Sequence, residues 1–278
     1  MELTELPVLG AGLGYRFDLH EQTLANESGV DFLELIGEHF VPLSQNRQLL
    51  GALGRRYACV PHCLNLSVGG DSAVDEAYVD AIREVSDIVD APWVSDHLCF
   101  TEGDGIDFGH LTPLPWTGEA ASAAARKAAY IQRRLGRPFL LENITYHFTM
   151  GGELSEAQFI EKVLDESGCG MLLDLNNVYT NSVNHGFDPV EFLAQLPLDR
   201  VAQMHIAGGK WHGDVLEDSH DAPVPEEVWR LVEFAVARSP VRAVLLERDD
   251  DFPPDFGALL GELGRARELL ARPKLAPA

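Results

Sequence analysis

The apolar positions of this chain gather into short runs that recur roughly every 30 residues, and nearly every run ends on a polar group able to bind a metal. Val8–Tyr15, Phe32–Ile36, Ala58–Cys63, Trp93–Cys99, Phe139–Glu142, Met171–Leu175, Val201–Ile206 and Ala243–Glu247 are dominated by Val, Leu, Ile, Met or Phe, as in strands buried on both faces. Between them the period lengthens to that of a helix. Asp75–Asp90 lays Ala77, Val79, Ile82, Val85, Ile88 and Val89 mainly along one stripe. Glu119–Leu135 is rich in Ala and stops at Gly136-Arg137-Pro138, while Ser155–Glu166 opens on a suitable N-cap and closes at Gly168. Pro225–Arg238 starts with a proline, and Asp255–Leu270 is the last helix. Strands alternating with helices predict a parallel sheet, and eight such units close a barrel. The expected architecture is therefore α/β, a (β/α)8 TIM barrel forming a single domain over residues 1–278, with a frayed tail at about 272–278. An open doubly wound sheet is the competitor. Gly10-x-Gly12-x-Gly14 lacks the spacing of a dinucleotide fingerprint, however, and reads as bends in the opening strand.

The carboxyl ends of the predicted strands carry His62, His97, Glu142, Asp174, His205 and Glu247, with Asp218-Ser219-His220 between the last two. Asn176 and Asn177 follow Asp174 closely. Residues i and i+2 share a face of a strand, so Asp174 should point with Asn176, Glu247 with Asp249, and His97 with Cys99. A lone buried histidine is usually a satisfied core residue. A whole set of buried acids and imidazoles is different, because each unpaired ion costs several kcal/mol unless a cation compensates it. Metal binding resolves that cost. Mixed imidazole and carboxylate donors suit Fe, Zn or Mn better than Ca or Mg, and this inventory exceeds one site. His185, within Val183–Pro189, is a candidate substrate or proton-transfer group, as is Asp249; His20, His39, His110, His147 and His212 read as surface or loop residues.

Hydrophobic residues make up 46% and charged residues 23% of the 278, as in ordinary globular proteins, but the net charge is −23. Such a chain repels phosphate backbones and anionic membranes, so neither nucleic acid nor a membrane is an expected partner. The start is polar and acidic, without a signal-peptide pattern, and no apolar stretch nears the ~20 residues of a spanning helix. Cys59, Cys63, Cys99 and Cys169 are scattered within apolar runs and read as buried free thiols of a reduced, cytoplasmic protein. Two long connections, residues 100–117 and 207–224, are rich in Gly, Asp, His and Pro and read as covers over the site. Their Trp116 and Trp211 either close over a substrate or pack on the rim.

Gly12-Leu-Gly-Tyr-Arg16, Asp31-Phe-Leu-Glu34, Val94-Ser-Asp-His-Leu98, Leu141-Glu-Asn143, Leu173-Asp-Leu-Asn-Asn177, Val183-Asn-His-Gly186, Met204-His-Ile-Ala-Gly208, Asp218-Ser-His220 and Leu246-Glu-Arg-Asp-Asp250 occur in this order. Together they resemble the DUF692 family of multinuclear non-haem iron-dependent oxidative enzymes, which includes methanobactin biosynthesis enzymes. The resemblance implies a xylose-isomerase-like barrel holding two or three iron ions and using O2 as co-substrate. It implies oxidative modification of a ribosomally made precursor peptide, commonly at cysteine, with a small partner protein often presenting the peptide. By the same resemblance His62, His97 and Glu142 hold one iron, and Glu142, Asp174, His205 and Glu247 hold its neighbour. Asp218 and His220, with Asn176 or Asn177, hold a third, labile metal. Glu38-His39 and Arg248 depart from the pattern of many relatives and are expected to flank the mouth. The rival readings are a divalent-metal sugar isomerase or hydrolase on a similar barrel, and a non-catalytic peptide-binding protein stabilised by metal.

Overall fold

The computed structural model describes residues 3–103 and 105–274. In chain order its first elements are β1 (Gly10–Gly14), α1 (His20–Ala25), β2 (Phe32–Ile36), α2 (Leu43–Gly54), β3 (Ala58–His62), α3 (Glu76–Ile88) and β4 (Val94–His97). Then come β5 (Phe100–Gly103), β6 (Ile106–Thr112), α4 (Gly118–Leu135), β7 (Phe139–Glu142), α5 (Glu156–Ser167), β8 (Gly170–Asp174) and α6 (Leu175–His185). The last are α7 (Pro189–Leu193), β9 (Val201–Ile206), β10 (Lys210–His212), β11 (Val215–Glu217), α8 (Glu226–Val236), β12 (Ala243–Leu246) and α9 (Gly257–Leu270). The eight expected runs are all strands, and they close a parallel barrel in the order β1-β12-β9-β8-β7-β4-β3-β2. None of the helices among the described residues is long and apolar enough to cross a membrane.

Local chemistry fixes the helix ends. The Asp75 carboxylate accepts from the Ala77 and Tyr78 amides, and Ser155 forms a reciprocal capping box with Gln158. Gly136 and Gly168 end α4 and α5 in the left-handed conformation, with φ of +70° and +71°. Outside the barrel, alternate strand residues such as Leu33, Val94, Leu141 and Leu173 pack beneath the helices. Inside it, Phe32, Val60, Trp93, Leu140, Leu172 and Leu245 form a separate apolar plug. Two positions beyond each plug residue, on the same face, lie Glu34, His62, Ser95, Glu142, Asp174 and Glu247. The strand period therefore stacks a polar layer directly on the plug, at the carboxyl mouth.

Several expectations change. The helices α1, α2, α6 and α7 do not stand out in the sequence pattern. The strand expected over Met171–Leu175 stops at Asp174, which instead caps α6 by accepting from the Asn177 amide at 2.7 Å. Asn176 and Asn177 thus occupy a helical turn, and the strand parity argued for them does not apply. Likewise β4 ends at His97 and β12 at Leu246, so neither Cys99 nor Asp249 continues a strand face. The two long connections fold as antiparallel hairpins, β5–β6 and β10–β11. Half-buried Trp116 packs on the rim edge to face with Tyr146, whereas Trp211 is exposed. All four cysteines are free and buried. At the start of the expected tail Arg272 pairs with Glu233, and Lys274 Nζ donates to the Ser239 carbonyl at 2.7 Å. Residues 275–278 lie outside the described residues.

Two predictions follow from the packing. A Cβ on Gly12 would stand 2.4 Å from the buried Phe32 ring, so Gly12→Ala overpacks the barrel and lowers stability by about 1–3 kcal/mol, read from a urea midpoint. Burial pushes the Glu156 carboxyl up to about 7 from 4.5, against the hydrogen bond it accepts from the Tyr146 hydroxyl at 2.8 Å. The folded state holds that proton more tightly, so its stabilising contribution is full below pH 4.5 and is lost as pH rises through about 7. Glu156→Gln removes this loss: relative to wild type its Tm rises between pH 5 and 8, and a Tm difference that stays constant across this range would contradict it.

Candidate metal centre

Glu142, at the end of β7, is the hub of the mouth. Its Oε2 lies 3.3 Å from His62 Nε2 and 3.5 Å from His97 Nε2, while its Oε1 lies 3.5 Å from His205 Nδ1. His205 Nδ1 also faces Glu247 Oε2 at 3.2 Å and Asp174 Oδ2 at 4.0 Å. His220 continues the chain of contacts, with Nδ1 at 3.4 Å from Glu247 Oε2 and Nε2 at 2.7 Å from Asp218 Oδ1. Two atoms bound to one ion at about 2.1 Å lie about 3.0–3.4 Å apart, so most of these spacings suit shared coordination. Four overlapping groups can each hold an ion: His62–His97–Glu142, Glu142–Asp174–His205, Glu34–His205–Glu247 and Asp174–His220–Glu247.

The donors also pass a test of satisfaction. Buried polar atoms almost always find a hydrogen-bond partner. Here Glu142 Oε2, Asp174 Oδ2 and His205 Nδ1 are buried without one, and they are atoms that face the cluster. Their outward atoms are well engaged. His62 Nδ1 hydrogen bonds with Ser95 Oγ at 2.9 Å, His205 Nε2 with Glu34 Oε2 at 3.0 Å, and His97 Nδ1 with Asp96 Oδ1 at 3.3 Å. Such outer partners fix the ring orientation and leave the inward nitrogen for a metal. The residues present fit metal ions.

The electrostatics express one deficit of positive charge. Burial opposes ionisation of Glu142, but His205 and His97 hold its carboxyl down to about 2. Burial likewise opposes the Glu247 charge, yet His205 and His220 keep its carboxyl well below the usual range. Asp174 goes the other way: burial, then Glu142 and Asp218, push it far up. His97 rises to about 9 because Glu142 and Asp96 outweigh its burial. Burial also disfavours charge on His205, but Glu34 and Glu247 raise it strongly, and Asp218 and Glu247 do the same for His220. Among the described residues lining the cleft, of about 510 Å³, Arg16 is the one Lys or Arg.

The other predicted residues divide. Asp249 meets both Arg16 Nε, at 2.9 Å, and His220 Nδ1, at 3.3 Å. Its backbone amide donates to the His220 carbonyl at 2.9 Å, holding His220 in the left-handed region at φ +50°. Such strain in a non-glycine residue persists where the surroundings enforce it. Asn176 Nδ2 donates to Asp218 Oδ1 at 2.6 Å, whereas Asn177 is engaged by the Asn143 carbonyl and the Thr145 hydroxyl. His185 joins none of the ligand groups: its Nε2 hydrogen bonds with the Tyr146 carbonyl at 2.9 Å. Arg248 does not flank the mouth either, being buried beside Glu262 of α9 at 3.5 Å. Glu38 accepts from the Leu64 amide at 2.7 Å and from the Tyr78 hydroxyl, while His39 is exposed beside Phe17. Sequence reasoning passed over Glu34, Ser95 and Asp96, and it left His110, which lines the cleft, among surface residues. The signal for Glu34 was its i+2 relation to Phe32 in a run otherwise wholly apolar.

Over residues 10–271 the chain matches the family described as RiPP precursor modification enzyme MbnB/TglH/ChrH, acting on ribosomally synthesised and post-translationally modified peptides. It is 41% identical over 268 residues to a UPF0276 protein of Caulobacter vibrioides, covering 95% of each chain. It is 40% identical over 261 residues to one of Rhizorhabdus wittichii, covering 93% of this chain and 94% of the relative. Among solved structures it is similar to 3-keto-D-glucoside 4-epimerase, YcjR, from E. coli, with TM-score 0.59 and 13% identity over 94% of this chain and 99% of that one. A xylose isomerase domain protein from Planctomyces limnophilus gives TM-score 0.57 and 11% identity over 96% and 98%. At that identity the structures establish the fold, a xylose-isomerase-like TIM barrel. The family match spans nearly the whole chain and the relatives are close, so this chain belongs to the MbnB/TglH/ChrH family of RiPP precursor modification enzymes, the DUF692 family its strand-end motifs resemble.

Proposed function

We propose that the chain is a multinuclear iron enzyme that uses O2 to modify a ribosomally made peptide at cysteine, with a small partner protein presenting the peptide. The observation that carries the metal reading is Glu142, buried with both carboxylate oxygens turned toward imidazoles that have outer partners of their own. His62, His97 and Glu142 would hold one ion, and Glu142, Asp174, His205 and Glu247 the next. His220, Asp218 and Asn176 would hold a third, and the Asp174–His220–Glu247 grouping supports a position for it beside the second. When bound, the irons supply Lewis acidity toward a thiolate and electrons for O2 chemistry.

The protein's own groups do the rest. Ser95, Asp96 and Glu34 orient the inner imidazoles, and Asp249 with Arg16 orients His220. The apolar plug beneath keeps water out from below, and hairpin β5–β6 walls the mouth through Thr101, Asp107, His110 and Leu111. None of the four cysteines enters a ligand group, which leaves sulfur coordination to the substrate. Nitrogen and oxygen donors of this kind serve iron, zinc and manganese alike; iron is favoured here by the resemblance of the strand-end motifs to the non-haem iron enzymes of the DUF692 family.

Metal analysis of anaerobically purified protein is expected to give two or three irons per chain, and a cysteine-containing precursor peptide plus O2 to give a product of altered mass. Glu142→Ala should remove at least one ion and abolish conversion. Zinc or manganese alone, with turnover of a sugar, would replace this reading by the isomerase. Chelation should lower the Tm by on the order of 5–10 °C, since ions that bind only the folded state stabilise it by mass action.

A further inference from the structure

A second cavity opens at the mouth, and the metal ligands do not account for it. It has a volume of about 860 Å³ and is walled by Phe100, Phe108, Pro113, Tyr146, Phe148 and Met150. Phe100 and Phe108 meet edge to face at 5.8 Å across the β5–β6 hairpin, and Trp116 backs Tyr146. Phe108, Phe148 and Met150 nevertheless stay 43%, 55% and 46% exposed, a concentration of apolar surface that marks a binding site. Among the described residues lining it there is no Lys or Arg, while Glu217 and Asp218 stand on its wall.

This groove runs into the metal cleft, since Thr145 and Asp218 line both. Thr145 Oγ1 donates to Asp218 Oδ2 at 3.1 Å, and Asp218 Oδ1 lies 2.7 Å from His220 Nε2. The groove thus begins one side chain away from the cluster. An extended peptide advances about 3.3–3.6 Å per residue. A residue held at the cluster therefore offers the side chain one or two positions away to the groove. A cavity of this volume lies within the range of small-ligand pockets and has room for a few side chains of an extended segment.

We propose that this groove is a specificity subsite for the peptide substrate, taking a large apolar or aromatic side chain one or two residues from the one modified and disfavouring an acidic residue there. The proposal rests on the peptide-modifying reading above. It deepens that reading by naming what the peptide must carry.

The test is anaerobic calorimetry of the metal-loaded full chain with capped Gly-Gly-Cys-Gly-Gly and its relatives bearing Phe or Asp at each Gly in turn. Phe at one position should tighten binding by about tenfold over Gly, from burial of one aromatic side chain, and Asp there should weaken it. The double variant Phe148→Ser, Met150→Ser alters exposed side chains, so it should keep its fold and metal content while losing the Phe advantage. Equal affinity for the Phe, Gly and Asp peptides overturns the subsite, as does a Phe advantage that survives in the double variant. In either case measured metal content and conversion of the Gly peptide leave the enzymatic reading standing. A Phe preference in protein that holds no iron and converts no peptide upholds the groove and ends that reading instead.

Discussion

A carboxylate buried among three imidazoles, each tethered from behind, is the constraint around which this barrel is arranged. Glu142 is 2% exposed, and its immediate neighbours His62, His97 and His205 lie on three other strands. Such a group is costly as an isolated ion and stabilising as a shared ligand. The strand period puts it there at no extra backbone cost. Leu140 fills the barrel interior, and two residues later Glu142 must face the same interior at the mouth. The same step links Val60 to His62, Leu172 to Asp174 and Leu245 to Glu247. Hydrocarbon below thus dictates charge density above, because a layer of acids cannot pack on a layer of acids.

The inner and outer parts of the cluster are mounted differently. His62, His97, Glu142 and Asp174 end barrel strands and His205 is the next-to-last residue of β9, so strand hydrogen bonds hold them in register. His220 and Asp218 come from the connection after hairpin β10–β11 and are held by side chains: Asp249, Arg16, Asn176 and Thr145. A ligand on a loop adjusts more cheaply than one on a strand. In the proposed function that asymmetry would make two ions firmly held and a third more easily lost. It also places Asp218 on the side where the aromatic groove enters, so the groove and the metal cleft share a wall.

The net charge of −23 takes on local meaning in this setting. Part of it is concentrated at the mouth, where bound cations would cancel it, whereas surface pairs such as Arg134 with Glu76 and Asp80 are already counted in that balance of 44 acidic against 21 basic residues. Such surface pairs contribute little each to stability. The uncancelled field still disfavours acidic ligands, in keeping with a groove whose charged wall residues are Glu217 and Asp218.

The run pattern alone determined eight strands, their parallel closure and the polar groups gathered at their ends, because buried parallel strands are continuous in hydrophobicity and a polar residue closing one stands out. His62, His97, Glu142 and His205 were legible for that reason. Asn176 was expected on a strand and lies in a helix, since Asp174 accepts the Asn177 amide and turns the chain; nothing in a short apolar run distinguishes a last strand residue from a helix cap. Arg248 seemed a mouth residue by its neighbours and instead turns back to Glu262 of α9, a choice made by packing between elements far apart in sequence. Glu34 was hidden in an apolar run, and the aromatic groove was hidden in two loops, because contacts between hairpin, loop and barrel have no period along the chain. Periodic burial is written locally and can be read from sequence; which side chains meet across the mouth is decided only when the closed barrel brings its ends together.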